Sequence, residues 1–346
     1  MNTEPLQVLT PEEIQPSAAL AAKILEQLDR ILLGRHELHR MVLAGILSRG
    51  HILLEGLPGL GKTELVRAVG RIMQLDFKRI QFTPDLMPSD ILGTHILQET
   101  DGRSREMVFQ PGPVFTNILL ADEINRASPK TQSAMLETMQ EHSVTLMGMT
   151  RKLPVPFFVL ASQNPIELEG TYPLPEAQID RFLFKLVTDS VDADILNEII
   201  TTRRHGIPHE PDWTIHAEEL ESLFATVDRV ILPHPVARYI SRLVSATHTG
   251  NTEATDTVNE YVTYGASPRA AIAIGEAARA LALLDGRPTA GFEDVRMAAP
   301  AVLNHRILLN YKARFDRVNS FAVIESLLSS LDETGMDLPG NVTLEG

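Results

Sequence analysis

The chain sets Gly56, Pro58, Gly59, Leu60, Gly61, Lys62, Thr63 and Glu64 in one stretch, shortly after the apolar residues 52–54 and ahead of helix-compatible residues to Val69. Residues 56–63 fit the spacing G-x-x-x-x-G-K-[ST]. Glycines so placed let the backbone fold tightly enough for successive N–H groups to point inward, and the helix that follows adds the partial positive charge of its N-terminus. Such a turn seats phosphate. Lys62 would bring a point charge to β- and γ-phosphates, and the Thr63 hydroxyl suits a Mg²⁺ ligand.

A second constellation lies in "NILLADEINRA", where Asp122 and Glu123 end an apolar run. Two carboxylates at the rim of a sheet, facing a phosphate turn, suit two different tasks. Asp122 would hold the metal, directly or through water, and Glu123 would polarise an attacking water as general base. The run "FFVLASQNP" repeats the pattern with a neutral end, Asn164. Its amide offers both a donor and an acceptor, which can orient that water without adding charge.

Positioning these groups requires strands that end side by side. Strand signals occur at "HILLEG", "FKRIQF", "NILLADE", "FFVLASQ" and "FLFKLVTD", separated by helical or turn-rich sequence. This alternation predicts an α/β fold with a mostly parallel sheet, covered on both faces, whose ligands gather at the carboxyl ends of the strands. Residues 18–48 read as two helices around a turn near Gly34. After Asp192 amphipathic helical segments dominate, which predicts a smaller, all-helical second domain. The division that follows is a poorly ordered segment 1–17, an α/β domain 18–205, a helical domain 206–335 and a tail 336–346. The proline-bearing stretch 204–220 reads as the connection. "THILQETDGRSREMVFQPG", with its Asp101-Gly102 turn signal, and "SVTLMGMTRKLPVP" read as β-hairpins. Met147 and Met149 in the second suit either packing or an adaptable contact.

Composition narrows the chemistry. With 346 residues and 44% hydrophobic content there is enough apolar matter for two cores, and no cysteine is present. Disulfides, thiolate metal sites and cysteine nucleophiles are excluded. The 11 histidines form no H-E-x-x-H pairing. The looser group His36, His39 and His51 reads as helix surface. Acidic residues outnumber basic ones 45 to 31, for a formal charge of -14, which disfavours a polynucleotide substrate. No apolar run reaches the length of a membrane span and the N-terminus lacks a signal-peptide pattern, so a cytoplasmic protein is expected.

Taken together, "LLEGLPGLGKTEL", "RIQFTPDLMPSDILG", "LLADEINRASPKTQSAMLETMQE", "VLASQNP", "LPEAQIDRF" and "GASPRA" resemble the AAA+ ATPases, and more narrowly the MoxR family, over residues 31–309. The resemblance implies a P-loop NTPase core with β-hairpin inserts followed by a helical lid, and ATP with Mg²⁺ as its cofactors. By it, Lys62 and Thr63 belong to Walker A, Asp122 and Glu123 to Walker B, and Asn164 to sensor 1. Arg181 matches the arginine finger and Arg269 matches sensor 2. Arg126, which follows the Walker B carboxylates, competes for the finger role. "ILLGRH", around Gly34, resembles the segment that packs against adenine.

The same resemblance implies a homo-oligomeric ring, a hexamer, that spends ATP on remodelling or maturing a protein substrate, with a von Willebrand factor A (VWA) domain protein as partner. Both hairpins would then face a central pore. Two rival readings are a nucleic-acid-remodelling motor and the motor subunit of a metal chelatase. The first calls for a basic, aromatic-bearing strip. The hairpins instead mix Arg103, Arg105, Arg151 and Lys152 with Glu99, Asp101 and Glu106.

Overall fold

The structure is a computed structural model and describes residues 8–57, 59–100, 104–165, 171–188, 191–203 and 208–333. Residues 1–7, Pro58, the Asp101-Gly102 turn with Arg103, and the tail 336–346 lie outside them. The chain divides into two compact units, one of Gln15–Asp228 and one joining the residues up to Ile14 with those from Arg229 onward.

In chain order, helices α1 (Pro11–Ile31) and α2 (His36–Leu47) precede β1 (Ile52–Gly56), α3 (Lys62–Ile72) and β2 (Phe77–Gln81). A short α4 (Pro88–Leu92) leads into a hairpin of β3 (Gly93–Thr100) and β4 (Ser104–Pro111), then β5 (Ile118–Asp122) and α5 (Pro129–Glu141). A second hairpin pairs β6 (Ser143–Leu146) with β7 (Met149–Lys152). It is followed by β8 (Phe158–Gln163), α6 (Glu176–Ile179), β9 (Phe184–Thr188), α7 (Ala193–Thr202) and α8 (Ala217–Arg229).

The five strands expected from apolar runs form one sheet in the order β2-β5-β8-β1-β9, parallel throughout. Burial on both faces explains why the inner strands β1 and β5 read as apolar runs: Ile52, Leu53, Leu54, Ile118, Leu119 and Leu120 have no exposed surface, whereas the edge strand β2, with Lys78 and Arg79 exposed, does not. Leu53, Leu119, Ala121, Val159 and Ala161 share a core with Met135, Leu136 and Met139 of α5. Ile52 and Leu54 alternate to the opposite face. From β1 the chain passes to the edge strand β2, returns through β5 and β8, and crosses to β9. The order therefore reverses at β1, and the crevice at the carboxyl ends beside it is the ligand position in sheets of this kind.

The other unit contains α9 (His234–Ala246), α10 (Asp256–Tyr261), β10 (Val262–Tyr264), α11 (Pro268–Leu284), α12 (Phe292–Leu303), β11 (Leu308–Leu309), α13 (Tyr311–Phe315) and α14 (Ser320–Ser330). Among its described residues it is mainly helical, and the antiparallel pair β10–β11 departs from the all-helical expectation. Fully buried Ala277, Ala278, Ala298 and Ala299 bring α11 and α12 close together. Among the described residues no helix is long and apolar enough to cross a membrane.

Other expectations need correction. The N-terminal segment is ordered well before residue 18: Leu9 and Ile14 are buried and α1 starts at Pro11. Its cause is a capping box, with Thr10 N–H donating to Glu13 Oε2 at 2.8 Å and Glu13 N–H to Thr10 Oγ1 at 3.3 Å. The stretch after residue 208 is not a free connector. Ile215 N–H donates to the Ile72 carbonyl at 2.8 Å, Gln74 Nε2 to Thr214 Oγ1 at 2.7 Å, and Arg30 Nη1 to Asp212 Oδ2 at 2.6 Å. These bonds tie it to α1 and α3, so the division falls at Arg229 rather than at 206.

His39 and His51 are not helix surface either. His39 has no exposed surface and bonds Asp29 Oδ1 through Nδ1 at 2.6 Å. His51, just before β1, accepts the Val159 N–H on Nδ1 at 3.0 Å and faces the Met139 carbonyl with Nε2 at 3.0 Å. That pair of partners places the proton on Nε2. Burial drives the His51 pKa from 6.5 down to about 4.

Candidate functional site

β1 ends at Gly56 because nothing larger fits there. A Cβ at this position would collide with Thr188 Oγ1 and lie 2.6 Å from the Thr188 carbonyl oxygen on the neighbouring β9. The chain then turns through Gly59 and Gly61, each at φ +80°, a backbone conformation that suits glycine. Gly61 is the N-cap of α3, so Lys62, Thr63 and Glu64 form its first turn with their N–H groups free of helix partners. Lys62 Nζ donates to the Gly56 carbonyl at 2.6 Å, across the mouth of the turn. Burial pushes its pKa down, against the opposing pull of Asp122, Glu123 and Glu55.

Opposite this turn, β5 and β8 deliver the other groups. Asp122 is the last residue of β5 and is buried. Its Oδ1 accepts the Ser162 hydroxyl, while Oδ2 accepts from Arg79 Nε at 3.1 Å and Nη2 at 2.7 Å. Glu123 follows at φ 56°, ψ 49°, an uncommon conformation for a non-glycine residue. Its N–H donates to Ser162 Oγ at 2.9 Å. Its Oε2 accepts from Gln81 Nε2 at 2.7 Å and from Arg126 Nη1 at 2.9 Å. Asn164, just past β8, is buried, and its carbonyl accepts from Asn125 Nδ2 at 3.4 Å.

Gly59, Gly61, Lys62, Thr63 and Glu64 thus share a cleft of about 380 Å³ with Asp122, Glu123 and Asn164, a size suited to a small ligand. The ammonium and the α3 N-terminus attract an anion; the two carboxylates suit a cation and a water. Thr63 and Asp122 are both oxygen donors, the set a hard divalent ion prefers. Among the described residues no group of three His, Cys, Asp or Glu side chains could hold a metal.

The remaining expected residues lie elsewhere. Leu32 approaches within 3.0 Å of where a Gly61 Cβ would stand, which sets the 31–36 segment against the loop. Gly34, at φ +73°, lines a separate pocket with Val187 and Thr188. Arg181 does not line the cleft; it is half-buried and donates from Nη1 to the Leu136 carbonyl of α5 at 3.0 Å. Arg126 is engaged by Glu123 of its own chain. Arg269 belongs to the other unit, where it is exposed on the first turn of α11. On the hairpins, Met147 and Met149 are 76% and 53% exposed, which removes packing as their role within the chain.

Sequence reasoning missed Arg79, Gln81 and Ser162. Arg79 and Gln81 are two apart on β2 and so share a face. Only the register, with Gln81 beside Asp122, shows that this face meets the carboxylates.

Residues 51–184 match the model of the ATPase family associated with various cellular activities, and residues 254–327 match that of the AAA lid domain. The chain is 44% identical to Chaperone MoxR1 of Mycobacterium tuberculosis, covering 88% of this chain and 80% of that one. Protein MoxR of Paracoccus denitrificans is 31% identical over 82% of this chain and 87% of its own. The crystal structure of a Cytophaga hutchinsonii protein described as an ATPase superposes with a TM-score of 0.85 at 37% identity, covering 93% of this chain and 97% of that one.

Proposed function

The chain belongs to the MoxR family of AAA+ ATPases, and from that premise we propose that it hydrolyses ATP with Mg²⁺ in the cleft beside β1, as a ring that remodels a partner protein. The observation that carries this reading is the convergence of Lys62 and Thr63 on α3, Asp122 and Glu123 at the end of β5, and Asn164 after β8 on one cleft.

Lys62 and the N–H groups of the α3 first turn neutralise the β- and γ-phosphates. Thr63 and Asp122 would hold Mg²⁺, which when bound supplies positive charge to the phosphoryl oxygens. Asn164 orients a water and Glu123 takes its proton as the water oxygen bonds to the γ-phosphorus. The bond between that phosphorus and the β–γ bridging oxygen breaks, and ADP leaves with the electron pair. Arg181 is the finger offered to the neighbouring subunit. Its place outside its own cleft supports this, and the engagement of Arg126 with its own Glu123 speaks against the competitor. Arg269 acts as sensor 2 from the lid, and the 31–36 segment with Gly34 supports the adenine.

The partner is a protein, with a VWA-domain protein as the candidate, and the setting is the cytoplasm. Ile96, Leu97 and Met107 on the first hairpin, with Met147 and Met149 on the second, are exposed apolar groups. Such groups suit a polypeptide better than a phosphate backbone, as does the charge of -14. The nucleic-acid and chelatase readings have no comparable support.

The test is what copurifies with the Glu123→Gln protein at saturating ATP, with its mass measured alongside. A hexamer that retains a defined protein, and releases it when ATP is removed, is the expected result. Recovery of DNA or RNA lost steeply with added salt, and of no protein, would transfer the chain to the nucleic-acid motors.

A further inference from the structure

Asp122 already has a cation on one of its oxygens. Arg79 Nε and Nη2 both donate to Oδ2, at 3.1 and 2.7 Å, and so take the two lone-pair directions of that atom. Oδ1 accepts the neutral Ser162 hydroxyl. Nη2 makes a further bond to Gln81 Oε1 at 2.7 Å, which steadies the guanidinium over the carboxylate. The Arg79 side chain is 46% exposed against 13% for Asp122, so the arginine has solvent to move into and the carboxylate has not.

The geometry points to Arg79 as an internal competitor for the metal: its guanidinium and a divalent cation are alternative occupants of Asp122 Oδ2, so Arg79 sets how much Mg²⁺ the site requires. The inference rests on reading Asp122 as the metal-side carboxylate. A hard cation needs an oxygen lone pair at close range, or holds a water there, and two positive charges on one oxygen repel each other. Binding of the ion therefore includes the cost of breaking the Arg79 bonds. The released guanidinium remains in a cleft that it lines together with Lys62 and Thr63.

The experiment titrates Mg²⁺ into protein held with a fixed concentration of a fluorescent ADP analogue, and repeats the nucleotide titration in EDTA. Arg79→Ala and Arg79→Gln are expected to lower the half-saturating Mg²⁺ by roughly threefold to tenfold, the scale of a partly exposed charged pair. Affinity in EDTA gives each variant's metal-free reference, against which its Mg²⁺ requirement is read, and Arg79→Lys, which keeps the charge, should stay nearer the parental requirement. Arg79→Gln retains the stem and a donor, so it serves if the alanine variant does not fold. Asp122→Asn is the control and should raise the requirement. If Asp122→Asn raises it while the Arg79 variants leave it unchanged or raise it, the competitor role is wrong and the metal site stands. If Asp122→Asn also changes nothing, the metal-side reading of Asp122 falls and the inference with it.

Discussion

Arg126 Nη1 lies 2.9 Å from Glu123 Oε2 of the same chain, an ion pair closed across three residues. The αL conformation of Glu123 brings the two side chains together at the start of a short 3₁₀ turn. Arg126 is thus engaged with Glu123 of its own chain, whereas Arg181 bonds the Leu136 carbonyl instead. Mixing Arg181→Ala with Glu123→Gln protein should therefore restore part of the lost hydrolysis, because a mixed ring joins an intact Glu123 to a neighbour's intact Arg181. Arg126→Ala mixed with Glu123→Gln should recover nothing. The reverse pattern, rescue by Arg126→Ala alone, would move the finger to Arg126.

His51 makes stability depend on pH in a defined window. Its pKa in the fold is about 4, below the ordinary 6.5, because burial penalises the charged ring. The unfolded chain therefore takes up the proton first as pH falls. The contribution is whole above 6.5 and is lost between 6.5 and about 4, reaching about 3 kcal/mol. Urea midpoints across this range should fall less steeply for His51→Asn, which cannot titrate. An identical slope in both proteins would show that His51 does not carry this dependence.

Gly56→Ala should destabilise the α/β unit by about 1–3 kcal/mol, since the added carbon meets Thr188 on β9. Thr188→Ala in the same chain should recover only part of the loss. The Thr188 carbonyl oxygen, 2.6 Å from the new carbon, remains in place. Thermal melting of the three proteins checks this, and a full rescue would place the clash on the side chain alone.

How much of this was legible in the sequence depended on which contacts set each feature. The sheet was readable because residues such as Leu53 and Leu119 must be apolar to lie between two helical layers. The places of Lys62, Thr63, Asp122, Glu123 and Asn164 were readable because each is fixed by local pattern: the first two by the glycine turn after β1, the others by the ends of β5 and β8. Arg79 and Ser162 were not, because their meeting at Asp122 depends on the lateral order β2-β5-β8, which no local pattern encodes. His51 escaped for the same reason: its partners, Met139 and Val159, are far along the chain. The unit boundary was misplaced because prolines and polar residues near 208–214 suggested a linker, whereas Arg30 on α1 and Gln74 just past α3 hold them.

The most direct test of the central claim is paired measurement of ATP binding and steady-state hydrolysis for Lys62→Ala and Glu123→Gln. Lys62→Ala removes the charge that faces the phosphates and should abolish most binding. Glu123→Gln keeps the cleft and should bind ATP nearly as the parent does, while turnover falls by about 100-fold or more, the scale of a lost general base. Hydrolysis by Glu123→Gln at the parental rate would contradict the account.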